Sequence, residues 1–231
     1  MWRLLANGVS QRASARLLRI DRKTVARKLV FLGEQARLAR LARLDELGLK
    51  AAKIAAIQFD EMESFERSKC LPLSIPLAVV PGRREVLGFR VASMPAKGTL
   101  AAFSRRKYGF RKDERPAMAR ALLAELKPAL ASDVVITSDQ NPKYPGWIRS
   151  RLPRARHQTI KGARGRTGGL GELKSVAFDP IFSLNHTCAM LRANINRLIR
   201  RTWCTTKRPD RLAAHIEIYV QEHNSRLGLG H

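Results

Sequence analysis

The hydrophobic period of this chain changes at Lys53. Before it, apolar side chains recur at helical spacing; from Lys53 the run KIAAIQF has the composition of a buried strand. Four acids then follow within seven residues: Asp60, Glu61, Glu63 and Glu66. Their concentration stands out because the chain is otherwise basic, with 44 Lys+Arg against 19 Asp+Glu. A carboxylate at the end of a buried strand, inside a cationic protein, suits a hard divalent ion held against nucleic-acid phosphates. A strand end followed by a solvated acidic turn would use the same residues. The stretch alone leaves both readings open.

A net charge of +25 and a pI near 11.4 call for a polyanionic partner, most simply DNA or RNA. Hydrophobic residues at 45% are enough for a core and exclude a disordered polybasic tail. A membrane surface is the competing polyanion, but the sequence has no membrane-spanning apolar run and no secretory or lipidation signal. Cys70, Cys188 and Cys204 are far apart and odd in number, which predicts reduced thiols in a cytoplasmic protein.

Residues 1–33 read as short helices. Ser10 is a plausible cap for QRASARLL, with Ala13 and Leu17 on its packing face. After the turn at residues 18–20, Asp21 caps RKTVARKLVFL, whose Val25, Leu29 and Leu32 follow helical spacing. Two short helices joined by a tight turn, the second loaded with cations, form a helix-turn-helix pattern. It points Arg22, Lys23, Thr24, Arg27 and Lys28 toward a major groove. A basic amphipathic hairpin with no sequence reading is the alternative. The little that precedes the first helix points to a shortened N-terminus. Residues 34–52 read as a helical linker with one apolar stripe, able to pack on either domain or pair with a second copy.

The remainder, residues 53–231, reads as one α/β domain. Strands are expected at 53–59, 71–80 and 85–94, the second with an irregular or edge start because of its two prolines. A basic loop covers residues 104–115, and an amphipathic helix covers 116–130 with Met118, Ala121, Leu122, Leu126 and Leu130 on one face. The apolar run VVITSD ends a fourth strand at Asp139. A short helix over 143–152, a strand over 156–162 and a glycine-rich basic loop over 161–171 follow; the loop's Arg164 and Arg166 suit a phosphate backbone. Asp179 and Pro180 start a long helix over 181–203, and a last helix spans 209–223.

This order of elements, with one acid ending the first strand and another ending the fourth, is a ribonuclease H-like layout: a mixed sheet flanked by helices. Such sheets set the first and fourth strands side by side, so Asp60 and Asp139 are expected to meet. Two close carboxylates repel unless a cation lies between them, and oxygen ligands with a phosphate substrate favour Mg²⁺ or Mn²⁺. Two such ions can serve an in-line phosphoryl transfer.

QFDEMESF, SDQNPKYP, LNHTCAMLRANINRLIRRTWCTTK and the trailing YVQEHN resemble the catalytic core of bacterial insertion-sequence transposases of the DDE type. NGVSQRASARLLRIDRKTVARKL is similar to the end-binding module of that group, so the resemblance spans nearly the whole chain. It implies that Asp60 and Asp139 are the first two metal ligands, with Mg²⁺ or Mn²⁺, two ions, as cofactor. It also implies 3′-end cleavage at element ends followed by strand transfer into target DNA. The third acid departs from the pattern: counting back from Arg192 places Asn185 where a Glu is expected. Asn offers a carbonyl oxygen but no charge, and His186 or Glu172 are the substitutes; Asp179 reads as a helix cap. Arg192, Arg197, Arg200 and Arg201 are expected to contact DNA near the cleavage point. The implied partners are double-stranded DNA, as terminal repeats and as target, and a second copy, giving a homodimer or larger assembly. The implied location is the bacterial cytoplasm, at the nucleoid. A DNA-binding protein that has lost catalysis is the second reading.

Overall fold

Strand β1 (Ile54–Phe65) is hydrogen-bonded on both sides and organises the sheet. The structure, a computed structural model, describes residues 1–161, 179–199 and 204–228. Three helices precede β1: α1 (Trp2–Ala6), α2 (Gln11–Leu18) and α3 (Arg22–Leu49). After it come β2 (Pro72–Val79), β3 (Val86–Phe89), β4 (Ala92–Ser93), α4 (Leu100–Tyr108) and α5 (Arg115–Leu126). The chain continues through β5 (Leu130–Ser138), α6 (Tyr144–Arg149), β6 (Arg156–Thr159), α7 (Phe182–Asn194) and α8 (Pro209–Arg226). The strand order is β3-β2-β1-β5-β6, with β4 also on β2. β2 runs antiparallel to its neighbours β1 and β3, whereas β5 and β6 run parallel to β1. The fold class is therefore α/β, an open mixed sheet flanked by helices, with helices at the N-terminus.

Alternation along β1 and β2 builds two cores. Ile57, Phe59 and Ala78 face α5 and α6, among Leu122, Leu126, Ile136 and Trp147. Met62, Leu73, Ile75, Leu77 and Val79 face α7 and α8, among Leu184, Leu191, Leu212 and Ile216. Burying both faces explains why β2 reads as a continuous apolar run.

Several expected boundaries shift, each for a local reason. The strand expected over 53–59 runs on to Phe65, because its pairing with β2 continues to Pro72, so Asp60 lies within β1 and does not end it. β2 is an inner strand, not an edge: Pro76 sits inside it. Its carbonyl accepts the Arg90 amide at 3.0 Å on the side where a proline has no N–H to give. The neighbouring strand is interrupted there, so the expected strand 85–94 becomes β3 and β4. The basic loop expected at 104–115 begins instead inside α4. Pro128 lies in a 3₁₀ turn, Lys127–Ala129, that ends the helix expected to reach residue 130; Leu130 already belongs to β5. The helix expected over 181–203 ends at Asn194, whose side-chain amide donates to the Met190 carbonyl at 2.9 Å. On α2 the packing face is one residue off the expected one: Ser14 and Ala15 are buried and Leu17 is exposed.

The boundary expected between residues 33 and 34 falls within α3, which runs unbroken for 28 residues. Its first half packs Leu29 with Leu5, Ala6 and Ile218 of α8. Gly33 is the point of closest approach, since a Cβ there would lie 2.5 Å from the Ala214 Cβ. Further along, Arg40 is buried. Its guanidinium donates twice to Glu217 of α8, at 3.0 and 2.9 Å, and once to Glu125 of α5, at 2.7 Å. Arg90 also pairs with Glu125. The helical segment expected as a linker is thus fastened to the sheet domain.

Arg40→Met is expected to destabilise the fold by about 3–5 kcal/mol, because Glu217 is left charged and buried without its partner. Urea unfolding of this variant and of Arg40→Met/Glu217→Met checks it. The double variant should recover much of the loss, and equal losses in both would rule out the ion pair as the cause.

Candidate metal centre and nucleic-acid interface

Parallel pairing of β1 with β5 sets Gln58 opposite Thr137. Two residues further along both strands, on the same face, come Asp60 and Asp139. The charge of Asp139 acts on Asp60, so the two carboxylates are brought together as the sequence predicts. Asp139 accepts the Asn141 amide at 3.0 Å, which closes a turn just past the end of β5.

The four acids on and just past β1 have different surroundings. Glu63 pairs with Lys97, and Glu66 pairs with Arg111 at 2.8 Å. Glu61 accepts from the Ser74 hydroxyl at 2.6 Å and feels the charges of Arg115 and Lys97. Among the described residues neither Asp60 nor Asp139 forms an ion pair, although the chain carries 44 cationic side chains. Asp60 instead accepts from the Tyr144 hydroxyl at 2.8 Å and from the Glu61 amide at 2.7 Å. Burial raises its carboxyl from the ordinary 3.8 to about 6; those two hydrogen bonds oppose the rise and the Asp139 charge adds to it. A paired, desolvated carboxylate set of this kind is stabilised by a bound cation.

Tyr144 was not singled out from the sequence, though it follows Asp139 closely in SDQNPKYP. Its ring packs edge-on against Phe59 at 5.1 Å between centroids, which holds the hydroxyl on Asp60. Gln58 was missed as well. Its side chain donates to the Pro180 carbonyl and accepts the Leu184 amide, each at 2.9 Å, and so docks the start of α7 onto β1. A buried glutamine two residues before an acid was the available signal.

Cys188 on α7 lies between the charges of Asp60 and Arg192: burial pushes its thiol up to about 12, Asp60 adds to this, and Arg192 opposes it. Asp60 and Arg192 thus both act on this buried thiol. Asn185 is exposed in the first half of α7, and its amide nitrogen donates to Asp179 at 2.9 Å. Among the described residues no hydrogen bond joins it to Asp60 or Asp139. His186 has its Nε2 3.5 Å from an Arg84 nitrogen. Asp179 accepts the Ile181 amide at 3.0 Å; the helix starts at Phe182, two residues later than a direct cap would place it. Among the described residues no three His, Cys, Asp or Glu side chains gather. Two oxygen-only ligands fit a hard divalent ion in type, and a carbonyl or phosphate oxygen would have to complete its shell. Glu172, Arg164, Arg166, Arg200 and Arg201 lie outside the described residues.

At the N-terminus the capping expectations are met. Ser10 accepts the Ala13 amide at 3.1 Å, and Asp21 accepts the Lys23 amide at 2.6 Å. Arg19, at φ 53°, turns the chain between α2 and α3. Arg22, Lys23, Arg27 and Lys28 are exposed at the start of α3, and Thr24 is half-buried. Arg197 is not on a helix with Arg192, as expected, but in the turn beyond α7.

A scan of the sequence against protein-family models finds no match, and a search among curated proteins finds none. Among the described residues no helix is long and apolar enough to cross a membrane.

Because the folded chain holds the Asp60 proton more tightly than the unfolded chain, ionising Asp60 destabilises the fold. This contribution is present below about pH 4 and is lost as pH rises through about 6. Asp60→Asn, which still accepts from Tyr144, should match the native chain near pH 4. In chelator at pH 8 it should exceed it by about 1–3 kcal/mol in urea unfolding. Adding Mn²⁺ at pH 8 should raise the native chain's stability and leave Asp60→Asn unchanged; equal responses would remove Asp60 from the cation site.

Proposed function

We propose that the chain is a DNA-processing enzyme with a ribonuclease H-like core, an insertion-sequence transposase that cleaves 3′ ends and transfers strands. One observation carries the reading: Asp60, within β1, and Asp139, just past the end of the adjacent parallel β5, come together without a cationic partner, inside a protein of net charge +25. The strand order, with an antiparallel β1-β2-β3 meander extended by parallel β5 and β6, supports the core assignment. The exposed cations at the start of α3 support duplex DNA as the partner.

Asp60 and Asp139 would hold Mg²⁺ or Mn²⁺, which when bound would supply the positive charge that a phosphodiester needs as it is attacked. Tyr144 orients Asp60 by donating to it and favours its ionised form. The Gln58 contacts set α7 against β1, which brings Cys188 and Arg192 alongside. Arg192 stands where it can meet the phosphate charge of a strand lying on the pair. Two element ends must be handled together, so a dimer on DNA is part of the proposal.

A second reading has its own observation. Asn185 brings no charge, is exposed and is tied to Asp179, as suits a chain that binds DNA without cutting it.

The test is a nicking and strand-transfer assay on duplexes carrying the element's own flanking repeats, with Mg²⁺ or Mn²⁺. The enzyme reading expects metal-dependent 3′-end cleavage that falls at least about a hundredfold in Asp139→Ala. Specific binding with no cleavage in either metal would establish the binding-only reading instead.

A further inference from the structure

A cleft of about 540 Å³ lies between α3 and the segment leading into α8. Five cations line it: Arg27 of α3, Arg197 of the turn beyond α7, and Lys207, Arg208 and Arg211 around the start of α8. Among the described residues no carboxylate lines it. Asp210 is the nearest compensation, pairing with Arg208 at 2.8 Å and with Arg211 at 3.6 Å. Among the described residues Arg27, Arg197 and Lys207 take part in no ion pair. Arg197 is half-buried, and desolvation together with the Arg211 charge lowers its pKa. Like charges converging on one concavity repel, and a partly desolvated guanidinium that forms no ion pair and is opposed only at a distance by the Asp210 charge is costly. An anion in the cleft removes both penalties. The N-terminal end of α8, an 18-residue helix, adds positive potential at the same place.

We propose that this cleft binds the sugar-phosphate backbone of duplex DNA, gripping one strand between the reading helix and the catalytic body. A polymer fits better than a free anion because the cationic row continues past Arg27 to Arg22, Lys23 and Lys28 on the same helix. The choice of DNA as the polyanion rests on the function proposed above. The cleft thus joins Arg27 and Arg197, which lie 170 positions apart, into one contact surface.

The experiment measures affinity of the full chain for a random-sequence duplex across a salt series. Arg27→Gln and Lys207→Gln, both exposed and so without effect on folding, should each lower the salt slope by about 1. Arg197→Gln should do the same, with its unfolding curve measured alongside. Lys127→Gln, exposed just beyond α5, should leave the slope unchanged. Slopes equal to the native value in Arg27→Gln and Lys207→Gln overturn the proposal. So does stabilisation by inorganic phosphate that those two variants abolish while duplex binding persists unaltered. Mn²⁺ binding and nicking are followed in the same proteins. Reduced slopes with no nicking by the native chain keep the cleft and sink the enzyme; nicking with unchanged slopes does the reverse.

Discussion

Burial of the Arg40 guanidinium obliges four elements to converge. Arginine does not shed its proton in a protein interior, so the charge has to be met by carboxylates from elsewhere in the chain. Glu217 comes from α8 and Glu125 from α5, while the Leu87 carbonyl of β3 accepts a further bond at 3.3 Å. With Gly33 letting α3 close on Ala214, these contacts weld the N-terminal helices to the sheet. The geometry between the cations of α3 and the carboxylates of β1 and β5 is then a property of the fold. A flexible linker would have left it open.

The carboxylate pair depends on a second constraint, the position of β1 between an antiparallel and a parallel neighbour. Pairing with β2 gives Glu61 its Ser74 partner, and pairing with β5 gives Asp60 its Asp139 neighbour. Cations from the connections around α4 and β4 meet Glu63 and Glu66. What remains is one desolvated acid facing another acid, steadied by Tyr144. Electrostatics then separates a site from a solvated acidic turn, a choice the local sequence leaves open.

The cationic cleft extends the same logic to the opposite charge. Most cations here are exposed and hydrated, where a counter-charge is worth little. Arg197 differs because the end of α7 at Asn194 turns it out of the helix and toward Arg27.

Short-range physics was legible in the residues themselves. The change of period at Lys53, the caps at Ser10 and Asp21, the acids that follow two apolar runs and the cation load of α3 all follow from interactions within a few positions. The break at Pro128 was equally local, though the apolar stripe running to Leu130 obscured it. Long-range pairing was not legible. Which acid of β1 stays without a cation, which tyrosine holds Asp60, and which arginine meets Arg27 depend on partners dozens to more than a hundred residues away. The sequence by itself determined the elements, their order and the chemistry each carries. Only the tertiary structure decided which charges meet, because desolvation and ion pairing are set by what surrounds a group in space.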